Sequence, residues 1–170
     1  MSKTYFIADT HFGDGFIIGY ENRPFDNAQE MDNIMIGNWN MVVQDDDIIY
    51  VLGDFCVSGK EEHILSSLKG KKHLVKGNHD FKSNEEYRQA GFCEVYDHPI
   101  ILENFWILSH EALYVNANMP YANLFGHVHN SPIYKNFSPQ HYCVCAERIG
   151  YAPVPFDKIK SDIQKSTDKK

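Results

Sequence analysis

The chain has 170 residues, 43% of them hydrophobic and 23% charged, with a formal net charge of −7. That balance fits one folded domain with its own core and excludes disordered and fibrous classes. The shortage of Lys and Arg argues against long nucleic acid as a partner. No apolar stretch reaches the roughly 18 residues of a membrane span. Met1-Ser2-Lys3-Thr4 runs into a strand-like segment without a cleavable signal pattern, and four scattered cysteines do not form a secreted disulfide framework. The cytoplasm, with free thiols, is therefore the expected compartment.

In chain order, aromatic and β-branched runs predict strands at Tyr5–Ala8, Ile48–Leu52, His73–Val75, Phe105–Leu108 and Asn123–Phe125. A helix is predicted over Asn27–Val43, where Met31, Ile34, Met35, Trp39 and Val42 share one face and Asn27 with Glu30 forms a capping box. Shorter helices are predicted over Glu61–Lys69, closed by Gly70, and over Asn84–Ala90, with Ser83 and Glu86 capping and Gly91 stopping it. Strands alternate with helices in the first half and dominate the second, which indicates sheets packed face to face with helices outside. One domain is expected over residues 1–163, with a polar tail, 164–170, that frays.

Each apolar run is followed by residues that carry chemistry. Asp9-Thr10-His11 follows the first, Gly53-Asp54 the second and Gly77-Asn78-His79-Asp80 the third; His110 and Gly126-His127-Val128-His129 follow the last two. Loops at the carboxyl ends of strands converge in open α/β sheets, so distant segments can meet in one crevice. Asp9, His11, Asp54, Asn78, His110, His127 and His129 offer hard oxygens and imidazole nitrogens without thiolate. That set suits Mn, Fe, Zn or Ni rather than Ca or Mg. Asp9 with His11, and His127 with His129, can each present two ligands from one side of an extended segment. Gly53, Gly77 and Gly126 precede ligands where sharp turns are expected.

These five segments, in this order and spacing, resemble the calcineurin-like metallophosphoesterase superfamily. Asn22-Arg23-Pro24-Phe25, Trp39-Asn40 and the ending Gly150–Pro155 are similar to its short stand-alone microbial and phage members. The resemblance implies an α/β four-layer sandwich, two mixed β-sheets flanked by helices. It implies a phosphoesterase that hydrolyses a phosphate monoester or diester, cyclic nucleotides among the candidates, by in-line attack of a hydroxide held between two divalent metal ions, Mn or Fe/Zn foremost and Ni as a further candidate. Asp9, His11 and His129 would hold one ion, Asn78, His110 and His127 the other, and Asp54 would bridge them. His79 would protonate the leaving alkoxide, with Asp80 orienting its ring.

The chain departs from related short members at Asp14, where a histidine is common, and at Glu111-Ala112, where an aromatic residue and a proline are common. Arg23, in the aromatic loop Phe12–Phe25, has two readings of equal weight: a clamp on a substrate phosphate or a structural arginine. Tyr114, Met119 and Tyr121 have the shape of base- or sugar-stacking residues, although such residues more often pack. Cys143 and Cys145 share a strand face and read as half-buried packing. His63, His73, His98 and His141 lack motif partners and receive no role. Two further functions fit the same sequence: a non-catalytic metal-binding interaction module, and a nuclease acting on nucleic-acid ends.

Overall fold

The computed structural model describes residues 2–57, 59–116, 118–132 and 138–167. Alternation along the first strand, β1 (Thr4–Ile7), divides the core in two. Tyr5 and Ile7 face one way, packing with Ile49 and Val51 of β2 (Ile48–Val51) and Leu74 of β3 (Lys71–Val75) against helices. Phe6, and Ala8 just beyond the strand, face the other way and meet Trp106 and Leu108 of β6 (Trp106–Leu108) and Ala122 and Leu124 of β7 (Ala122–Phe125).

With β4 (Glu94–Tyr96), β5 (Ile100–Leu102), β8 (His141–Cys143) and β9 (Val154–Pro155), the strands form two sheets. The five-stranded sheet has the order β4-β3-β2-β1-β9 and the four-stranded sheet β5-β6-β7-β8. Each mixes parallel pairs with one antiparallel edge, β1 with β9 and β5 with β6. The architecture is the α/β sandwich of two mixed sheets flanked by helices that the resemblance implies.

The helices are shared unevenly. α1 (Gly15–Tyr20), α2 (Ala28–Val42), α3 (Glu61–Ser67) and α4 (Asn84–Ala90) supply Ile17, Met31, Met35, Trp39, Ile64, Leu65 and Tyr87 to the core outside the five-stranded sheet. α5 (Phe156–Thr167) instead places Phe156, Ile159 and Ile163 in the core between the sheets. On the outer side of the four-stranded sheet Phe125, Val128 and Cys145 form a small cluster to which no described helix contributes. Among the described residues no helix is long and apolar enough to cross a membrane.

Capping chemistry sets several boundaries. α4 has the expected reciprocal box between Ser83 and Glu86 and stops at Gly91, φ +129°. α2 starts at Asn27, whose side chain accepts from Glu30 N–H, but the Glu30 carboxylate reaches back to Asp26 N–H rather than to Asn27. Ile34, expected on the buried face of α2, is 41% exposed because the stripe narrows to Met31, Met35 and Trp39. Two helices depart from the sequence reading. α1 occupies part of the expected loop Phe12–Phe25, and α5, which the strand-rich reading of the second half does not include, is carried onto the sheets by Phe156, Ile159 and Ile163 and runs to Thr167 with residues 164–166 of the polar tail exposed. Residues 168–170 of that tail lie outside the described residues.

Candidate metal centre

Parallel strands bring their carboxyl ends to one edge, and both sheets do so on the same side of the molecule. β1, β2 and β3 are parallel and are followed by Asp9, His11, Asp54 and Asn78-His79-Asp80. β6, β7 and β8 are parallel and are followed by His110, His127, His129 and a 3-10 turn at Ala146–Arg148. The edges are stitched together where Ala8 N–H donates to Val144 O at 2.8 Å and Ala146 N–H donates to Ala8 O at 3.0 Å.

The expected sharp turns exist, but the candidate ligands themselves make most of them. Asp9, His11, Asp54, His127 and His129 all adopt left-handed φ between +44° and +67°, a region that disfavours side chains with a Cβ. Gly53, at φ +89°, fits the expectation. Gly77 and Gly126 serve close approach instead: a Cβ at Gly77 would collide with the Asp54 carboxylate and the His110 ring, and one at Gly126 with Ala8 and Asp9.

The structure brings all seven candidate ligands together. Asp9, His11 and His129 have donor atoms within 4.8 Å of one another, as do Asp9, Asp54 and His110. His129 Nε2 lies 3.6 Å from Asp9 Oδ1, and Asp54 Oδ2 stands between His11 Nε2 at 3.6 Å and His110 Nε2 at 3.5 Å. Asn78 Oδ1 is 2.9 Å from His110 Nε2 and 3.0 Å from His127 Nδ1. Separations of 3.5–3.6 Å are long for hydrogen bonds but suit donors each about 2.0–2.2 Å from a shared ion. Asp9 Oδ1 and His11 Nε2 are buried without a hydrogen-bond partner, and a buried polar atom left in that state is costly. The donor set therefore fits divalent cations.

Electrostatics point the same way. Burial pushes the Asp9 carboxyl up to about 6, against the opposing pull of His129 and His110. Burial, with His129 and Arg23 nearby, holds His11 down to about 3. Burial followed by the neighbouring His110 also lowers His127. Burial opposes charge on His129, yet its hydrogen bond to Glu147 and the Asp9 charge raise it overall. Crowded imidazoles beside an undercompensated carboxylate are relieved by metal charge.

Several neighbours act differently from the sequence reading. His79 is exposed, its backbone N–H donates to Asp54 Oδ1 at 2.8 Å, and its ring centroid is 5.5 Å from that of His11. Asp80 does not orient that ring: its buried carboxylate accepts from the backbone N–H groups of Asp54 (2.7 Å), Gly77 (2.8 Å) and Phe55 (3.2 Å), tying two ligand loops together. Arg23 takes the structural reading, because its side chain is 0% exposed and its donors are used beneath the site on Thr10 O, Asp9 O and Glu147. Glu147, which no motif flagged, accepts from Arg23 and lies 3.0 Å from His129 Nδ1. Asp14 Oδ2 lies 3.6 Å from His11 Nδ1 while Asp14 caps α1.

Beside Asn78 and His110 a cavity of about 270 Å³ is lined by Lys76, His98 and Glu111. Among the described residues the large aromatic side chains that are strongly exposed are Phe16, Tyr20, Phe81 and Tyr114, all on segments that follow candidate ligands. Tyr121 is half-buried. Cys145 is buried and Cys143 half-buried, their sulfurs 3.2 Å apart.

A family model described as calcineurin-like phosphoesterase matches residues 2–140. The chain is 35% identical over 173 residues to the uncharacterised protein MJ1445 of Methanocaldococcus jannaschii, covering 97% of this chain and 93% of that protein. It is 33% identical over 85 residues to the gene 66 protein of Mycobacterium phage L5, covering 47% of this chain and 41% of that protein. Among solved structures, an Aquifex aeolicus protein of unknown function, AQ665, superposes with a TM-score of 0.73 at 24% identity, covering 95% of this chain and 99% of that one. The Pseudomonas putida nuclease MPE superposes with a TM-score of 0.51 at 20% identity over 74% of this chain and 61% of that one.

Proposed function

Because the chain belongs to the calcineurin-like phosphoesterase family, we propose that it hydrolyses small phosphate monoesters or diesters at a centre of two divalent metal ions. The carrying observation is the convergence of seven oxygen and nitrogen donors from both sheets, with Asp9 Oδ1 and His11 Nε2 buried and unpartnered. Asp9, His11 and His129 would hold one ion, Asn78, His110 and His127 the other, with Asp54 between them. Mn, Fe, Zn and Ni all suit these donors. When bound, the two ions supply Lewis-acid charge that polarises phosphoryl oxygens and acidifies water.

The remaining work falls to the chain. His79 stands exposed at the mouth, anchored through its main chain to Asp54, and donates a proton to the departing alkoxide oxygen. Asp80 keeps the Asp54 and Asn78 loops in register by binding their backbone N–H groups. The burial of Asp9 and His11 keeps water from competing for those donors. Free cysteines suit a reducing compartment, so the cytoplasm is the proposed location.

The test is hydrolysis of bis(p-nitrophenyl) phosphate and p-nitrophenyl phosphate by chelator-stripped protein, before and after Mn²⁺ addition, with metal content measured in parallel. Metal-restored turnover with about two ions per chain supports the proposal; two ions without turnover favours a binding module, and no bound ion defeats it. His79→Ala should retain both ions and lose more activity on esters with poor leaving groups than on good ones. Equal losses on both would sink the acid role.

A second reading, cleavage of short single-stranded nucleic-acid ends, is favoured by Phe16, Phe81 and Tyr114, which can stack on bases. A nuclease is also among the structural neighbours. Faster hydrolysis of a thymidine oligonucleotide than of bis(p-nitrophenyl) phosphate would favour it.

A further inference from the structure

We infer that Glu147 is a positioning residue of the metal centre: backed by Arg23, it fixes His129 as a ligand and makes the ion at Asp9, His11 and His129 the tighter of two. The inference rests on the two-ion reading above and adds an order to it.

Glu147 Oε1 accepts from Arg23 Nε at 2.9 Å and Nη2 at 2.7 Å, and lies 3.0 Å from His129 Nδ1. An ionised carboxylate only accepts, so Nδ1 of His129 carries the proton and Nε2, which faces Asp9 Oδ1, is left with its lone pair for an ion. Arg23 extends the chain of contacts. Its Nη2 donates to Asp9 O at 2.6 Å and its Nη1 to Thr10 O at 2.9 Å. Two ligands of one ion, His129 and Asp9, are thus tied to each other through a single ion pair.

That pair is well shielded, with side-chain exposures of 0% for Arg23 and 3% for Glu147. The same 3-10 turn holds the other end of His129, because Arg148 Nε donates to His129 O at 2.6 Å. The second donor set is built more loosely. Asn78 and His127 are exposed, and the group holding His110 Nδ1 is a neutral carbonyl, Leu52 O, at 2.8 Å. A carboxylate behind an imidazole raises its basicity and orients it more firmly than a carbonyl does.

The experiment is stepwise Mn²⁺ titration of the chelator-stripped protein, read by calorimetry and by the electron spin resonance of bound Mn²⁺. Glu147→Gln strands the buried guanidinium and is expected to threaten folding. The double variant Glu147→Gln with Arg23→Met removes both charges at similar volume and is the main test, its folding checked by circular dichroism. Wild type should bind two ions with separable affinities. The folded double variant should weaken the tighter ion by about 10–100-fold and leave the weaker one unchanged, whereas Asn78→Ala should weaken only the weaker ion. Unchanged affinities in a folded variant, or equal loss at both ions, would overturn the inference. Wild-type protein that takes up no Mn²⁺ is a separate result, which defeats the metal centre itself.

Discussion

Backbone strain collects at the residues that would hold metal. Asp9, His11, Asp54, His127 and His129 all take left-handed φ, a conformation that costs a non-glycine residue on the order of 1–3 kcal/mol when the surroundings impose it. Stability and ligation should therefore trade against each other at a single position. In metal-free protein His127→Gly is expected to raise urea stability by about 1 kcal/mol, since this side chain is exposed. With saturating Mn²⁺ the order should reverse, because the variant has lost a ligand. A variant less stable under both conditions would remove strain from the account. Protons should compete with metal in the same set. With its carboxyl pushed up to about 6, Asp9 takes a proton as pH falls through that value, and an ion needs the carboxylate free. The raised His129 titrates in the same sense, while His11, held near 3, stays neutral. Mn²⁺ affinity should fall as pH drops, by about tenfold per pH unit below about 6 where Asp9 gains its proton, with the raised His129 adding to the fall. Calorimetry from pH 5 to 8 measures it, and a pH-independent affinity would contradict the role of Asp9.

At the scale of elements, α5 shows what a helix can contribute without touching the site. Phe156, Ile159 and Ile163 fill the core between the sheets beside Phe6 and Trp106. Ile159→Ala, at a position with 0% exposure, should cost about 2–4 kcal/mol in urea unfolding while leaving metal stoichiometry intact. This helix was readable in principle, because Phe156, Ile159 and Ile163 follow i, i+3, i+7 spacing. Lys158, Lys160, Ser161 and Asp162 between them masked the stripe and made the end look frayed. α4 was legible almost to the residue, because Ser83, Glu86 and Gly91 write its boundaries into local chemistry. α1 was not, since only Ile17 of its six residues is buried and Phe16 and Tyr20 point outward. Short strands such as β5 and β8 lack the length for alternation to register.

Across the whole molecule, the site was legible where ligand types recur after strands, and illegible where a partner is chosen only by tertiary packing. Asp9, Asp54 and His110 could be anticipated because each ends a hydrophobic run. Glu147 could not, because a lone carboxylate 18 residues beyond His129 has no spacing rule that links the two. Asp80 and the substrate reading of Arg23 share an origin: a charged group next to a motif invites a role toward substrate or catalysis, whereas buried backbone donors and acceptors engage both side chains in the structure. The stitch between Ala8 and the Val144–Ala146 segment carries this logic into folding. It joins residues far apart in sequence, so its closure costs chain entropy that local contacts cannot offset in advance. The first ligand pair should accordingly acquire its final shape late, after the Val144–Ala146 segment has been made. A chain ending at residue 140 would keep every motif residue and the whole span matched by the family model, yet lack β8, the stitch and Glu147. Such a chain is expected not to retain Mn²⁺ through gel filtration, and a truncated protein that kept two ions would mean that the motifs alone suffice.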